Sequence, residues 1–376
     1  MKKNILVIGG AGFIGSHLID ELLNLNHNII VYDVLEPQVH GNISNPPNYL
    51  AKNIKFIKKD IRNQEALLES LIDIDVIYHL AAMVGVGQSM YQINKYVDVN
   101  VSGTSILLDH LVNKPNNVKK LILASSMSTY GEGEYQCEKC GTIYPKIRVK
   151  SQLEKGDWEL NCPECGKKAI PIPTKEEKIQ ECTSIYALTK KEQEKMCLLI
   201  GETYGIDTTA LRLFNVYGSR QALSNPYTGV CAIFSSNLLC NNSPLIYEDG
   251  NQTRDFVHVK DICQALILSM EKSQARNEVF NVGTGLPITI KEVAQIIAKY
   301  INPSITPIIT NKFRLGDIRH CFSDISKISS KLGYKPTVSF EKGISELIDW
   351  VKIQRGKVED KSSRANEELR EKGLLK

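Results

Sequence analysis

A chain of 376 residues is long enough for one large domain or two smaller ones, with a sizeable buried core. Its hydrophobic fraction of 42% and charged fraction of 23% are ordinary for a soluble globular protein. A net charge of +4, with the basic residues spread along the chain, argues against a nucleic-acid partner. No apolar run reaches the ~18–20 residues that a bilayer span requires, so no membrane attachment is expected.

The N-terminal Met-Lys-Lys and the apolar stretch after it imitate a secretion signal. That stretch runs directly into Gly9-Gly10-Ala11-Gly12 and an amphipathic segment, so it reads as a first buried strand and the protein as cytoplasmic. Short β-rich runs recur at Asn4–Ile8, Asn28–Tyr32, Ile54–Ile57, Val76–Leu80, Leu121–Ala124 and Thr208–Leu213. Segments with helical spacing lie between most of them, such as Ile14, Leu18, Leu22 and Leu23. Alternating strands and helices predict an α/β fold of Rossmann type, a doubly wound parallel sheet covered on both faces. After Arg212 the alternation turns irregular, as in a smaller α+β domain. The expected division is 1–211, 212–355 and a polar tail at 356–376, read as a surface helix or loose end with no function assigned.

One connection breaks the pattern. Between Tyr130 and Tyr186 lie 55 residues, where a strand-to-helix loop usually has a few. Two C-x-x-C pairs fall inside it, Cys137/Cys140 and Cys162/Cys165, so 132–171 reads as an inserted module. The other cysteines (Cys182, Cys197, Cys231, Cys240, Cys263 and Cys321) are singletons, best read as small buried hydrophobes. Each knuckle's second Cys is followed by Gly, where a tight turn aims N–H groups at sulfur. Four thiolates favour tetrahedral zinc, and a closed Cys₄ site leaves no position for a substrate, so its role is structural. Paired disulfides or unliganded thiols are the alternatives.

Gly9, Gly12 and Gly15 form G-x-x-G-x-x-G between the first strand and the first helix. A tight turn and a close backbone approach to pyrophosphate both need residues without a Cβ, and the helix N-terminus offers free N–H groups to phosphate. The next strand ends at Asp33, where a carboxylate accepts from ribose hydroxyls and repels a 2′-phosphate. NAD is therefore expected rather than NADP. Asp60-Ile61 closes the third strand where an adenine would lie, and Leu80-Ala81-Ala82 closes the fourth with small residues near the pyrophosphate. A glycine turn made only for packing, and plain strand ends, are the blander readings.

Tyr186 and Lys190 stand four apart on one helix face. A phenol is a poor base at neutral pH, and a nearby ammonium together with an oxidised nicotinamide ring is expected to lower its pKa. Ser126 ends the fifth strand at the sheet's carboxyl edge, able to hydrogen-bond the reacting hydroxyl. Taken alone, Tyr186 and Lys190 could be an ordinary surface pair.

Together Gly9–Gly15, Ser126 with Tyr130-Gly131, Tyr186 with Lys190, Leu211–Gly218 and Arg254–Val259 resemble the NAD-dependent nucleotide-sugar epimerase/dehydratase family, the extended short-chain dehydrogenases. The resemblance covers residues 1 to about 350 apart from the insert. It implies a tightly held NAD contacted by Gly9, Gly12, Phe13, Ile14, Gly15, Asp33, Asp60, Ile61, Leu80, Ala81, Ala82, Asn100, Tyr186 and Lys190. It implies Ser126, Tyr186 and Lys190 as the catalytic residues, and a nucleotide-sugar held near Val84, Ser126, Tyr186, Asn215, Arg254 and Arg314. Guanidinium forks suit diphosphate oxygens. The resemblance also implies a homodimer, with 1–211 binding NAD and 212–355 mainly binding substrate.

Family members that dehydrate across C5–C6 carry an acidic pair just after the strand-end Ser, and related decarboxylases keep one Glu. Here those positions are Met127 and Ser128. What remains needs one base and one hydride acceptor, the requirement for inversion at C4 through a transient 4-ketone. The cysteine-bearing insert, with His79–Met90 and Ser224–Gly229, looks like the dTDP-L-rhamnose 4-epimerase group, which interconverts dTDP-L-rhamnose and dTDP-6-deoxy-L-talose. A UDP-hexose 4-epimerase or a nucleotide-sugar 4-ketoreductase is the alternative. More remote is an NAD-sensing binding protein that uses its zinc ribbon for contacts.

Overall fold

The computed structural model describes all residues from Met1 to Lys376. Its central sheet has seven parallel strands: β1 (Asn4–Ile8), β2 (Asn28–Asp33), β3 (Lys55–Lys58), β4 (Val76–His79), β5 (Lys120–Ser126), β6 (Asp207–Leu213) and β7 (Glu278–Val282). They lie in the order β7-β6-β5-β4-β1-β2-β3. From β1 the chain winds outward to β3, then returns to β4 on the other side of β1. The crevice at the carboxyl ends of β1 and β4 is the switch point where such sheets receive ligands. Ile5, Leu6, Val7 and Ile8 are buried on both faces of the sheet, as expected for a parallel strand under two helical layers.

One layer contains α1 (Phe13–Asn24), the other α2 (Gly103–Asn113) and α3 (Ile185–Tyr204). In α1 the buried Gly15, Ser16, Leu18, Ile19 and Leu22 trace one helical face. α4 (Val259–Glu271) packs beside α1 in the same core cluster of 33 buried residues. α3 starts at Ser184, whose side chain accepts from the Ala187 N–H, and ends at Gly205 in the left-handed region (φ 73°).

The six strands expected from sequence are present, with ends shifted by a residue or two. β7 was not expected, because its Glu-Val-Phe-Asn-Val sequence puts polar residues in a strand. Asn281 is buried there because its side-chain oxygen accepts from the Tyr130 hydroxyl (2.7 Å) and its amide donates to the Thr174 carbonyl (2.8 Å). The span 212–355 therefore completes the central sheet with β7 and α4 as well as forming a second body. In that body the strand Thr253–His258 pairs with Asn215–Tyr217, Pro287–Thr289 and His320–Cys321. Helices Val230–Leu239, Ile290–Ile301 and Phe340–Ile353 close a core cluster of 18 buried residues.

The insert forms a three-stranded antiparallel sheet from Glu134–Cys137, Gly141–Ile143 and Ile170–Ile172. Its own core cluster has only six buried residues, among them Tyr135, Cys137, Leu160 and Cys162.

The tail is tied down. Helix α5 (Ser362–Glu371) buries Ala365, Asn366 and Leu369. The last residues pair with the second body: Phe313 N–H donates to Lys376 O (3.1 Å), Lys376 N–H to Phe313 O (3.0 Å) and Leu315 N–H to Leu374 O (2.9 Å). No helix is long and apolar enough to cross a membrane.

Candidate active site

The glycine turn is shaped for a ligand and tolerates no side chain. Gly9 has φ +82°, and a Cβ there would lie 2.6 Å from the Ala81 nitrogen. A Cβ on Gly15 would lie 2.5 Å from the Gly9 carbonyl oxygen, so α1 can approach the turn only as glycine. Beside it opens a cleft of about 290 Å³. Gly9, Gly12, Phe13, Ile14, Gly15, Asp33, Asp60, Ile61, Leu80, Ala81 and Ala82 all line it, as does Val84.

Asp33 also builds the turn. Its carboxylate accepts from the Ala11 N–H (3.0 Å) and the Leu35 N–H (2.8 Å). Burial raises its pKa, and these backbone donors oppose the rise. Asp60 is held by Arg62, which donates from Nε (2.8 Å) and Nη2 (2.7 Å) and keeps the carboxyl below its usual range. A Cβ-free cradle at a helix N-terminus, closed by a buried carboxylate, fits a dinucleotide.

Asn100 does not line this cleft. It is fully buried, accepts from Met83 N–H (2.7 Å), and donates to Met83 O (3.1 Å) and Thr189 Oγ1 (3.0 Å). Its amide clamps Met83, at the end of the fourth-strand loop, to Thr189 of α3; Tyr186 and Lys190 also lie outside the lining of this cleft.

Ser126 and Tyr186 meet at the mouth of a second cavity of about 420 Å³, which Val84, Asn215, Arg254 and Arg314 also line. Ser126 Oγ accepts from the Ser128 N–H (3.2 Å) and the Ser128 hydroxyl (2.9 Å). Their positions are fixed from behind by a buried polar knot. Arg212 donates to Glu194 from Nε (3.0 Å) and Nη2 (2.6 Å). The Ser125 hydroxyl donates to the same carboxylate (2.7 Å), and Arg212 Nη1 donates to Tyr130 Oη (2.7 Å). Glu194 lies two turns beyond Tyr186 on α3, so the knot locks the end of β5 to the helix that carries the phenol.

Burial dominates the electrostatics of the Tyr186 and Lys190 pair. Lys190 is buried and donates to Gln193 Oε1 (2.8 Å), and desolvation lowers its pKa to about 8. Burial raises the pKa of Tyr186, while the Ser126 hydrogen bond pulls it the other way. A phenol buried this way stays protonated at neutral pH unless another positive charge is brought beside it, so Lys190 does not lower it unaided.

In the second cavity, Arg254 is held by three carbonyls. Nη1 donates to Thr253 O (2.8 Å) and Arg319 O (2.9 Å), and Nη2 to Ile318 O (2.7 Å). The Arg314 guanidinium lies 4.4 Å from the centre of the Tyr247 ring. Asn215 Oδ1, Gln252 Oε1 and Arg314 Nε are buried with no protein partner. Polar atoms left unpaired on a cavity wall are what a polar ligand satisfies. The one carboxylate on the wall, Asp317, comes from the segment after Arg314, whereas Met127 and Ser128 occupy the strand end.

Several wall residues escaped the sequence reading: Tyr247, Gln252, Asp317, Asn366 and Leu369. The Tyr247 hydroxyl donates to Asn366 Oδ1 (2.7 Å), and Glu368 accepts from Tyr227 (2.8 Å) and Tyr91 (2.9 Å). The available signal was Ala365 and Leu369, four apart on an otherwise polar helix, which marks a buried stripe.

The side chains of Cys137, Cys140, Cys162 and Cys165 converge, with all four sulfurs within 4.8 Å of one another. Backbone N–H groups of Cys140 and Lys139 draw the Cys137 thiol down to about 7 against desolvation. Four converging sulfurs, with N–H donors aimed at that of Cys137, fit a tetrahedral thiophilic metal. Of the six singletons, Cys197, Cys231, Cys263 and Cys321 are buried, and Cys182 and Cys240 are half-buried.

The fold is shared with known proteins. Residues 5–148 match the NAD dependent epimerase/dehydratase family, and residues 166–347 match GDP-mannose 4,6 dehydratase. A dTDP-L-rhamnose 4-epimerase of Burkholderia thailandensis is 35% identical over 93% of this chain and 95% of its own length. The solved UDP-N-acetylglucosamine 4-epimerase of Methanobrevibacter ruminantium, in complex with UDP-N-acetylmuramic acid, superposes with a TM-score of 0.76. It is 34% identical, covering 94% of this chain and 100% of that one. The UDP-glucuronic acid 4-epimerase of Bacillus cereus, solved with UDP-glucuronic acid and NAD, gives a TM-score of 0.75 at 28% identity, covering 93% and 99%. The chain belongs to the NAD-dependent epimerase/dehydratase family of extended short-chain dehydrogenases.

Proposed function

We propose that this enzyme inverts C4 of a nucleotide-linked sugar through a transient 4-ketone, and that its substrate pair is dTDP-L-rhamnose and dTDP-6-deoxy-L-talose. One observation carries the reaction type. Ser126, Tyr186, Asn215, Arg254 and Arg314 line a single cavity next to the glycine cleft, and Met127 and Ser128 stand where a dehydratase has acids. The 35% identical relative and the cysteine-bearing insert favour the dTDP-deoxysugar. A UDP-sugar 4-epimerase is the second reading, favoured by the names of the solved neighbours.

When bound, NAD⁺ would supply a hydride acceptor and donor for C4 and a positive ring charge to the site. Gly9, Gly12, Phe13, Ile14, Gly15, Asp33, Asp60, Ile61 and Leu80–Ala82 would hold it, and Lys190, one turn beyond Tyr186 on α3, is assigned to its ribose. Tyr186 takes the proton of the C4 hydroxyl, and Ser126 hydrogen-bonds the same oxygen as it becomes a carbonyl. Arg254 and Arg314 keep the diphosphate anchored while the ketone turns its other face, with Asn215 and Val84 on the sugar side. The proton then returns from Tyr186 to the inverted hydroxyl. Zinc held by the four cysteines completes the insert. A homodimer is supported by the exposed apolar Ile93, Val97, Leu188 and Leu199, on the segment before α2 and on α3.

Because the ketone is made and reduced in one site, no cofactor is consumed. Purified enzyme given a panel of dTDP- and UDP-sugars without added nicotinamide interconverts C4 epimers, with the dTDP-deoxysugars turned over best. Stoichiometric NADH release identifies a dehydrogenase, turnover only when NADH is added identifies a ketoreductase, and either ends this reading.

A further inference from the structure

The insert's position in the chain, between β5 and α3, suggests that it acts on Ser126 and Tyr186. Its packing points elsewhere. Glu159 and Arg148 of the insert enter a partly buried ionic cluster with Glu248, Asp249 and Arg319 of the second body. The Arg319 side chain is fully buried. It donates to Glu159 Oε1 from Nε (3.1 Å) and Nη2 (2.6 Å), to Glu248 Oε2 (2.8 Å), and to Asp249 Oδ1 (2.8 Å) and Oδ2 (3.0 Å).

The segment Asp317–His320 is thereby gripped from the insert's side at successive positions. Arg148 Nη2 donates to the Asp317 carbonyl (3.1 Å), while its Nη1 reaches Glu248 (2.9 Å). The Glu132 carboxylate accepts from the N–H groups of Arg319 (2.7 Å) and His320 (3.2 Å). Glu159 Oε2 meets the His320 imidazole at 3.3 Å. Just before the segment, the Trp158 ring packs on Phe313 with centroids 6.3 Å apart, and Phe313 precedes Arg314.

The segment's other side faces the substrate cavity. The carbonyls of Ile318 and Arg319 are two of the three that hold the Arg254 guanidinium. A contiguous set of hydrogen bonds thus runs from Glu159 through Arg319 to Arg254, and a ring contact runs from Trp158 through Phe313 to Arg314.

We infer that the cysteine-bearing insert is a positioning element for the diphosphate site, with Glu159 as the residue through which it sets Arg254. This rests on the proposed nucleotide-sugar reading of that cavity. The two arginines must be aimed before substrate arrives, because a long side chain ordered only on binding loses affinity through its own entropy. Glu159 touches neither substrate nor cofactor, so it acts on binding and leaves the proton-transfer groups alone. That separates it from a residue that merely stabilises the fold.

The test uses full-length enzyme with its retained NAD. Affinity for dTDP and for UDP is measured by calorimetry, with KM and kcat for epimerisation, in wild type, Glu159→Ala and Glu159→Gln. Glu159 is only half-buried, so both variants keep the fold, checked by NAD retention and zinc content equal to wild type. Glu159→Ala is expected to weaken nucleoside-diphosphate binding and raise KM by about tenfold, the effect of losing one charge-assisted contact, with kcat within about twofold. Glu159→Gln, which keeps an acceptor but not the charge, falls between. A loaded Glu159→Ala enzyme with unchanged affinity and KM, or with kcat reduced at unchanged KM, overturns the inference while leaving the proposed function intact. Wild-type enzyme that binds neither nucleotide overturns both.

Discussion

Tyr186→Phe enzyme keeps its fold and its NAD but turns over about 10²–10⁴-fold more slowly, the range for loss of a positioned general acid–base group. Phe fills the same volume, so the site is not opened. The ring at position 186 still packs edge-to-face with Tyr96, at a centroid distance of 6.5 Å in the native enzyme. Only the hydroxyl is lost, with its influence on Ser126. Substrate affinity should change little, because the diphosphate is held by groups from other elements. Steady-state rates with calorimetric nucleotide binding check both halves. A Phe variant with more than about a tenth of the wild-type rate removes Tyr186 as the base, since a loss that small lies below the expected range.

The second large effect is on the insert. Wild-type protein carries one zinc per chain, and Cys162→Ser carries none. Its six-residue core is too small to stand alone, and structural zinc typically contributes about 10–16 kcal/mol of apparent binding free energy to such a module. Residues 134–172 should therefore lose amide-exchange protection in the variant, while β1–β7 keep theirs. The central sheet has its own two-faced core and takes nothing from the ribbon. Activity falls mainly through a raised KM, because the ionic cluster around Arg319 loses its Glu159 and Arg148 partners. Metal analysis with hydrogen exchange distinguishes the outcomes. Iron instead of zinc, cysteines titrating as two disulfides, or a metal-free variant with unchanged activity and thermal stability contradicts this account.

What could be read from the sequence follows a physical division. β1 and the glycine turn are legible because both demands are local: Ile5–Ile8 must be apolar under two helical layers, and Gly9 and Gly15 admit no Cβ. The spacing of Tyr186 and Lys190 on one helix, and of the two cysteine knuckles, is likewise local. β7 was hidden because Asn281 is a polar residue made burial-compatible by Tyr130 and Thr174, more than a hundred positions away. The tail was hidden for the same reason. Glu368 has partners at Tyr91 and Tyr227, and Asn366 at Tyr247, none of which has a sequence pattern linking it to α5. Arg254 was placed near the diphosphate by the resemblance, and nothing in its motif shows that three carbonyls hold it. Asn100 illustrates the converse, a polar residue beside the cofactor cleft whose amide is consumed by protein partners.

Hydride removed from C4 and returned to C4 within one closed site is the centre of the account, and an isotope at that carbon follows it directly. Substrate carrying deuterium at C4 is incubated with enzyme in ordinary water, without added nicotinamide, and both epimers are examined by NMR at equilibrium. The account predicts that the inverted product keeps the deuterium at C4, with no proton entering from solvent and no free NADH. Loss of the C4 label to water, or label retained without inversion at C4, contradicts it.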